Sequence, residues 1–426
     1  MRSNKTFASL AVLTVCLAVG GCASVKNLFN SQLKEQEKEI ASRPETFEMV
    51  RLDKDGKTLD QTFGEKGQIK FDRNVKPKDK ADFMETAVLS HKGKRIITQI
   101  GKSIFAFDMN GQNVKKLAQP ETESAMRLVN DQPNADIIIA GVAANKLRLE
   151  RLIPAGTKDE KFGDAGFYGT DLVVSGGLDR APAILRKDGR ILLWGRNEAG
   201  EAIIHRLTTD GKVDKTFGKD GGVADADGSK EDAPYRILVY PDHRFILIDG
   251  TQEIRLRRFL QDGKPDAGFG ENGVLQTKLQ ADAESGNLVA VTAKGLFVGG
   301  RSGDQYVLTG YDANGKANAK FNKGEPVTIS GVADKGAING STPAISLFIG
   351  AADKVMVVTR DGCVDNCTHP NGVDLVSVIR RFNADGSVDK SFGKEGAVTV
   401  KGLVNTVLVQ PDDQRIIIGG HLVALQ

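Results

Sequence analysis

The sequence predicts an all-β fold, a β-propeller of seven four-stranded blades, behind an N-terminal lipoprotein signal and a short tether. Three observations predict it. First, a tight turn recurs seven times, as Asp55-Gly56, Asn110-Gly111, Ala155-Gly156, Asp210-Gly211, Asp262-Gly263, Asn314-Gly315 and Asp385-Gly386. The glycines are 55, 45, 55, 52, 52 and 71 residues apart, and an internal period of this length marks an array of one supersecondary unit. Second, a Phe follows six of the seven turns, at Phe63, Phe162, Phe217, Phe269, Phe321 and Phe392, with Gly after it everywhere except Phe321-Asn322. Third, there are seven strongly apolar strands as well, among them Ile137-Ile138-Ile139, Phe245-Ile246-Leu247-Ile248 and Ile416-Ile417-Ile418. No segment past the tether sustains a helical period.

The chain begins with an address. Met1-Arg2-Ser3-Asn4-Lys5 is a basic head, Phe7 to Val19 is an apolar run, and Gly20-Gly21-Cys22 follows. This is the layout of a secretory leader over residues 1–21, and the run is shorter than the ~20 apolar residues of a spanning helix. Val19-Gly20-Gly21-Cys22 resembles a bacterial lipobox, with Val where Leu is usual. The resemblance implies that Cys22 carries the lipid and becomes the mature N-terminus, where two or more acyl chains give stable anchoring. Ala23 rather than Asp follows, which by resemblance to Gram-negative sorting favours the outer membrane. Residues 22–45 read as a lipidated polar tether, closed by Arg43-Pro44, since the residue before Pro avoids the α region. Residues 46–426 are the repeat domain.

Within a unit, a short strand such as Met49-Val50-Arg51-Leu52 or Val378-Ile379-Arg380-Arg381-Phe382 leads into the turn. The Phe-Gly and a Gly-rich step come next, then a second strand, a Pro-Asp turn (Tyr240-Pro241-Asp242, Gln410-Pro411-Asp412) and the apolar strand. Strands joined by tight turns at this length are propeller blades. The last apolar strand lies at the C-terminal end and a strand at Thr46-Phe47-Glu48-Met49 precedes the first turn, so the two ends together complete one blade.

The phrases Arg381-Phe382-Asn383-Ala384-Asp385-Gly386-Ser387-Val388-Asp389-Lys390-Ser391-Phe392-Gly393 and Val409-Gln410-Pro411-Asp412-Asp413-Gln414-Arg415-Ile416-Ile417-Ile418-Gly419-Gly420 resemble the bacterial delta-60 repeat family of propeller-like proteins. The likeness covers roughly residues 47–426 and weakens at Asn110-Gly111 and Phe321-Asn322. It implies a repeat fold in an extracytoplasmic setting and no reaction.

The repeated residues read as scaffold. Gly56, Gly211, Gly263 and Gly386 supply the positive φ of a hairpin turn, and the Asx side chain before them bonds its own backbone. Calcium is the alternative for Asp53, Asp55 and Asp60, but the Glu-terminated loop of an EF-hand is absent. Each Phe reads as a plug between neighbouring blades. Departures from the period are where function is expected, because insertions map to loops. The longest step holds Cys363 and Cys367, a pair expected to form a disulfide in an oxidising compartment; zinc at Cys363, Cys367 and His369 would want a fourth ligand. Asp225, Asp227, Glu231 and Asp232 form an acidic stretch, either a solvated loop or a weak Ca²⁺ site. The short step between Gly111 and Gly156 is the third departure.

The formal charge is +3, and basic and acidic residues are interspersed, so there is no electrostatic case for nucleic acid. The histidines, His91, His205, His243, His369 and His421, fall in no nucleophile or metal motif, and no cofactor is expected. The expectation is a non-enzymatic binding or scaffold lipoprotein of the cell envelope, holding a protein or peptide partner. A carbohydrate- or cell-wall-binding protein is the alternative, against which stand 6% aromatic residues and the single Trp194. A propeller hydrolase or lyase is third.

Overall fold

The structure, a computed structural model, describes residues 46–72, 86–90, 94–101, 103–117, 124–131, 136–144, 146–173, 183–185, 188–225, 236–240, 242–249, 253–280, 288–303, 305–329, 345–361 and 376–425. Among them every regular element is a β-strand apart from two three-residue 3-10 turns at Asn322–Gly324 and Ala351–Asp353. In chain order the strands are β1 (Thr46–Leu52), β2 (Gln68–Asp72), β3 (Thr86–Leu89), β4 (Arg95–Ile100), β5 (Ser103–Asp108) and β6 (Lys115–Lys116). There follow β7 (Ser124–Asp131), β8 (Ile137–Ala143), β9 (Lys146–Leu152), β10 (Phe167–Val173), β11 (Ala183–Leu185), β12 (Ile191–Arg196), β13 (Ala202–Leu207) and β14 (Gly222–Ala224). Then come β15 (Arg236–Val239), β16 (Phe245–Asp249), β17 (Glu253–Phe259), β18 (Val274–Gln280), β19 (Val289–Val291), β20 (Gly295–Ser302), β21 (Gln305–Asp312) and β22 (Val327–Ile329). The last are β23 (Ile345–Ile349), β24 (Val355–Asp361), β25 (Val376–Phe382), β26 (Ala397–Val409) and β27 (Ile416–Leu425).

Antiparallel pairing sorts the described strands into seven four-stranded meanders. The first joins the second half of β26 to β27, β1 and β2, so the two ends of the chain share a sheet: Glu48–Leu52 pairs in register with Gly420–Ile416. The second to sixth are β3–β6, β7–β10, β11–β14, β15–β18 and β19–β22, and the seventh is β23, β24, β25 and the first half of β26. The first strand of one meander lies against the first strand of the next, with β26 against β3, β3 against β7, β7 against β11, β11 against β15, β19 against β23 and β23 against β26. This is a β-propeller. Three neighbouring pairs of meanders also share a ladder: β26 passes from the seventh to the first, β10 touches β12 at Val173–Arg196, and β18 touches β20 at Gln280–Arg301.

Sequence pattern explains the elements. The second strand of a meander carries a run of buried residues because both of its faces pack on neighbouring sheets; β12 and β16 are buried from their first residue. The fourth strand alternates, as in β18, where Leu275, Thr277 and Leu279 are buried and Gln276, Lys278 and Gln280 exposed. Consecutive antiparallel strands place alternate connections on opposite edges. The turn glycines, between third and fourth strands, therefore lie on one edge together with the turns between first and second strands.

On that edge each plug residue meets the next meander. A Cβ added to Gly211 (φ +78°) would lie 2.6 Å from Cε2 of Phe162. The same relation places Phe63 on Gly111, Phe217 on Gly263, Phe269 on Gly315, Phe321 on Gly386 and Phe392 on Gly56, the last returning from the seventh meander to the first. The turn glycine thus does two things at once: it takes a left-handed φ, and it leaves room for an aromatic ring from the neighbour.

The irregular steps also find their places. The 71-residue step is divided between residues 330–344, which join β22 to β23, and residues 362–375, which join β24 to β25. The 45-residue step follows from the missing Phe-Gly segment: β6 begins 4 residues after Gly111, whereas the other fourth strands begin 11 or 12 residues after their turn glycines. Phe217 is fully buried, stacked between its own sheet and the next. Phe217→Ala is expected to lower stability by about 3–5 kcal/mol, read as a fall in the thermal midpoint; an unchanged midpoint would contradict the role of the ring.

Candidate functional site: a charged clamp repeated around the ring

The most elaborate chemistry among the described residues is a set of clamps at the joints between meanders. Arg51, Arg151, Arg206, Arg258 and Arg381 each stand five residues before a turn glycine, on the third strand of a meander. Each guanidinium lies over the Phe of its own meander, 5.1 Å from the centroid of Phe63, 4.8 Å from Phe162, 4.6 Å from Phe217, 4.4 Å from Phe269 and 4.5 Å from Phe392. Each is also ion-paired with an aspartate just after the turn, namely Asp60, Asp159, Asp214, Asp266 and Asp389.

The same arginines reach across the joint. Nη1 donates to Met109 O at 2.6 Å from Arg51, to Thr209 O at 2.6 Å from Arg151, to Gln261 O at 2.9 Å from Arg206, and to Lys54 O at 2.5 Å from Arg381. Arg258 Nη1 donates to Ala313 O. The acceptor is in every case two residues before the neighbour's turn glycine. Beside it, the N–H following the Phe donates to the next carbonyl, as Gly64 to Asn110, Gly163 to Asp210, Gly270 to Asn314, Asn322 to Asp385 and Gly393 to Asp55, all at 2.7–2.8 Å.

The clamp aspartates take a second cation from the start of the second strand. Arg415 pairs with Asp60 at 2.7 Å, Arg190 with Asp214 at 3.5 Å, Arg244 with Asp266 at 3.3 Å and Lys354 with Asp389 at 2.7 Å. In the third meander that position is Asp136, which pairs with Arg151. Burial alone would raise the Asp60 carboxyl, but hydrogen bonds from the Thr62 hydroxyl and N–H and the Arg51 guanidinium outweigh it and hold it at about 2. Asp159 and Asp214 are lowered in the same way, against burial, by local N–H or hydroxyl donors and their arginines, and Asp389 by the Lys354 ammonium, the Ser391 hydroxyl and Arg381.

Two meanders depart from the pattern, and each loses the Arg and the Asp together. In the sixth, Gly310 and Asn318 stand in their places, and the Phe321 ring occupies the space; a Cβ on Gly310 would lie 2.5 Å from its Cγ. In the second, Ala106 replaces the Arg and Leu117 takes the position of the plug, 2.6 Å from where a Cβ on Gly156 would be. Here Arg95 has no clamp aspartate on its own meander. It crosses the joint instead and donates to Pro154 O at 2.7 Å, while Lys115 Nζ donates to Ala155 O at 2.9 Å. These are the two carbonyls that the clamp uses elsewhere, satisfied by different donors.

A separate buried network joins the fourth and fifth meanders near the opposite edge. Arg257 pairs with both Asp225 and Asp249; Trp194 Nε1 donates to Asp225 Oδ2 at 2.9 Å; Arg255 Nε donates to Asp249 Oδ1 at 2.5 Å. Asp225, Asp249 and Arg257 are buried, and burial raises the Asp249 carboxyl above the usual range despite its two arginines.

Several residues singled out in the sequence can now be placed. Asp225 anchors the acidic stretch on Arg257 and Trp194, whereas Asp227, Glu231 and Asp232 lie outside the described residues, as do Cys22, Cys363 and Cys367. Trp194 is buried and hydrogen-bonded to a carboxylate. Asp53 accepts from the N–H groups of Asp55 and Lys57 and from the Thr58 hydroxyl, which is turn chemistry, and Asp60 belongs to a clamp. His205 sits on β13, where burial lowers its pKa, and His243 meets Asp188 at 3.1 Å. Among the described residues no three His, Cys, Asp or Glu side chains gather as a metal site. The Arg and Asp of the clamp escaped notice in the sequence, although both stand at near-fixed distances from each turn glycine.

One family description agrees with the fold. Residues 374–392 match the model of a family described as a domain of unknown function (DUF5122), beta-propeller. No curated protein matches the chain by sequence. Among solved structures the chain is similar to virginiamycin B lyase from Staphylococcus aureus, at 13% identity and a TM-score of 0.40 over 88% of this chain and 99% of that one. It is also similar to a protein from Lactobacillus plantarum, at 11% identity and a TM-score of 0.43 over 79% and 89% of the two chains. The WD40 domain of SCAP from fission yeast aligns over 87% and 92%, at 7% identity and a TM-score of 0.37. These are likenesses of fold alone.

Two outcomes follow from the charges. Asp60 is depressed from the ordinary 3.8 to about 2, so its contribution is complete above the unfolded value and is lost as pH falls through the folded one. Denaturant titrations are expected to show stability falling between about pH 4 and pH 2, with Asp60→Asn removing about 2 kcal/mol of that dependence; a variant with the parent's pH profile would contradict it. Arg257→Met leaves Asp225 and Asp249 buried with too little positive charge and is expected to cost about 3–5 kcal/mol, seen as a lower denaturation midpoint. A loss below about 1 kcal/mol, the level of an exposed pair, would show that the network is solvated.

Proposed function

We propose that the seven meanders are the blades of a seven-bladed propeller, and that the protein is a non-enzymatic binding scaffold of the bacterial cell envelope. In this reading Cys22 is lipidated, the chain is tethered at the outer membrane, and a protein or extended peptide is held at the edge of the ring away from the turn glycines. The observation that carries the reading is the distribution of irregularity. The glycine-turn edge is taken up by repeated clamps, whereas the longest breaks in the repeat, 330–344 and 362–375, leave and rejoin their strands at the opposite edge. β1 also enters the ring there, at Thr46. Loops held on a rigid ring suit a partner better than a fixed small molecule.

The test is affinity capture of the lipidated full-length chain from envelopes, with and without crosslinker, beside a variant in which 362–375 is replaced by a Gly-Ser linker of equal length. A protein partner recovered reproducibly by the parent and lost by the variant is the expected result. Retention on glycan or peptidoglycan without a protein partner would favour the carbohydrate-binding alternative and overturn the proposal.

A further inference from the structure

We propose that Asn110 and Asn314 are latent deamidation sites, shielded while the ring is closed and modified when their joint opens, and that the isoaspartyl product keeps the joint from closing again. Asn precedes Gly five times in the chain, and three of these pairs, Asn110-Gly111, Asn272-Gly273 and Asn314-Gly315, lie among the described residues. Gly after Asn presents the least hindered backbone nitrogen for the reaction. That nitrogen attacks Cγ of the Asn side chain, the bond from Cγ to the amide nitrogen breaks, and the amide leaves with the glycine's proton as ammonia. Water then opens the resulting imide at one of its two carbonyls, giving aspartate or isoaspartate. Asn110 and Asn314 are both exposed, so water reaches them.

The closed ring opposes the first step at both sites. The attacking nitrogens are already committed as donors, Gly111 N–H to Asp108 O and Gly315 N–H to Asp312 O, both at 3.0 Å. The carbonyl between Asn and Gly is held from the neighbouring meander, Asn110 O by Gly64 N–H and Asn314 O by Gly270 N–H, each at 2.8 Å. Arg51 Nη1 also donates to Asn110 Oδ1 at 3.2 Å, and Arg258 holds the carbonyl of Ala313. Closing the imide turns that peptide and so breaks the bonds across the joint. The third pair belongs to a turn within one meander, where Gly273 donates to Phe269 O at 2.8 Å.

The two products differ in fit. Aspartate stands at the same place in four other turns, as Asp55, Asp210, Asp262 and Asp385. Isoaspartate lengthens the main chain by a methylene and turns the carbonyl that the neighbour's N–H uses into a free carboxylate. The turns have no room for the added length: a Cβ on Gly315 would lie 2.7 Å from Cε2 of Phe269, and one on Gly111 2.7 Å from Gly64 N.

Peptide mapping of the full chain, aged in mildly alkaline buffer with and without enough urea to unfold it, tests the proposal. Asn110 and Asn314 are expected to deamidate about tenfold or more slower in the folded protein, because opening must come first; equal rates overturn it. Arg258→Lys keeps the charge and loses the fork. It is expected to speed deamidation of Asn314 several-fold and leave Asn110 unchanged, and no change at Asn314 would overturn the assignment to the joint. Asn314→Asp is expected to keep the parent's thermal midpoint, whereas chains with isoaspartate at 314, formed by ageing the folded protein, are expected to be cut first in limited proteolysis. Equal cleavage of isoaspartyl and unmodified chains, or a lowered midpoint for Asn314→Asp, contradicts the difference between the products.

Discussion

A closed ring depends on its joints, and at five of them in this protein an arginine stands between two meanders. One guanidinium stacks on the plug of its own meander, pairs with the aspartate behind it and donates to a carbonyl of the next turn, as Arg206 does with Phe217, Asp214 and Gln261. Three demands of this kind select Arg over Lys, since a planar fork can stack on a face while its edges donate in different directions. They also explain the burial of a charge in a β-sheet core: Arg51 and Arg258 are among the largest fully buried side chains, and a buried ion is tolerated only where its hydrogen bonds are filled.

The same requirement accounts for residues that vary. Removing the Arg without the Asp would leave a half-buried carboxylate unpaired, so the two positions change together, to Gly310 and Asn318 in one meander and to Ala106 without an aspartate in another. Arg95 then serves the neighbouring carbonyl, which would otherwise be short of a donor. The pattern of loss is therefore the pattern of a coupled unit rather than of independent drift.

How much of this the sequence disclosed depended on distance along the chain. The turn glycines, the plug phenylalanines and the apolar strands lie within a few residues of one another and recur, so their period was visible, and so was the fold. The Arg–Asp pair is almost as local, eight residues apart in Arg206–Asp214, but it is only apparent when units are aligned on the glycine. Leu117 and Arg95 could not be assigned, because what they touch belongs to the next meander. Asp225 looked like part of an acidic loop since its partners, Trp194 and Arg257, lie 31 and 32 residues away on other strands. The 71-residue step gave a length but not the fact that it is divided between two connections.

Closure also decides where novelty can be accommodated. Each turn on the glycine edge is gripped by the meander before it, and the Phe that follows grips the meander after it, so an insertion there disturbs two joints at once. The strand ends on the opposite edge lie away from the clamps. Residues 330–344 and 362–375 lengthen the chain between β22 and β23 and between β24 and β25 while the register of β24 with β25 runs unbroken from Val355–Phe382 to Asp361–Val376. Selection for a partner can therefore act on that edge at little cost to the ring, whereas selection on the glycine edge is confined to exposed positions such as Val114, Leu260 and Val388. The asymmetry is a consequence of how the ring is held, and it is the physical ground on which the proposal looks to the edge opposite the clamps.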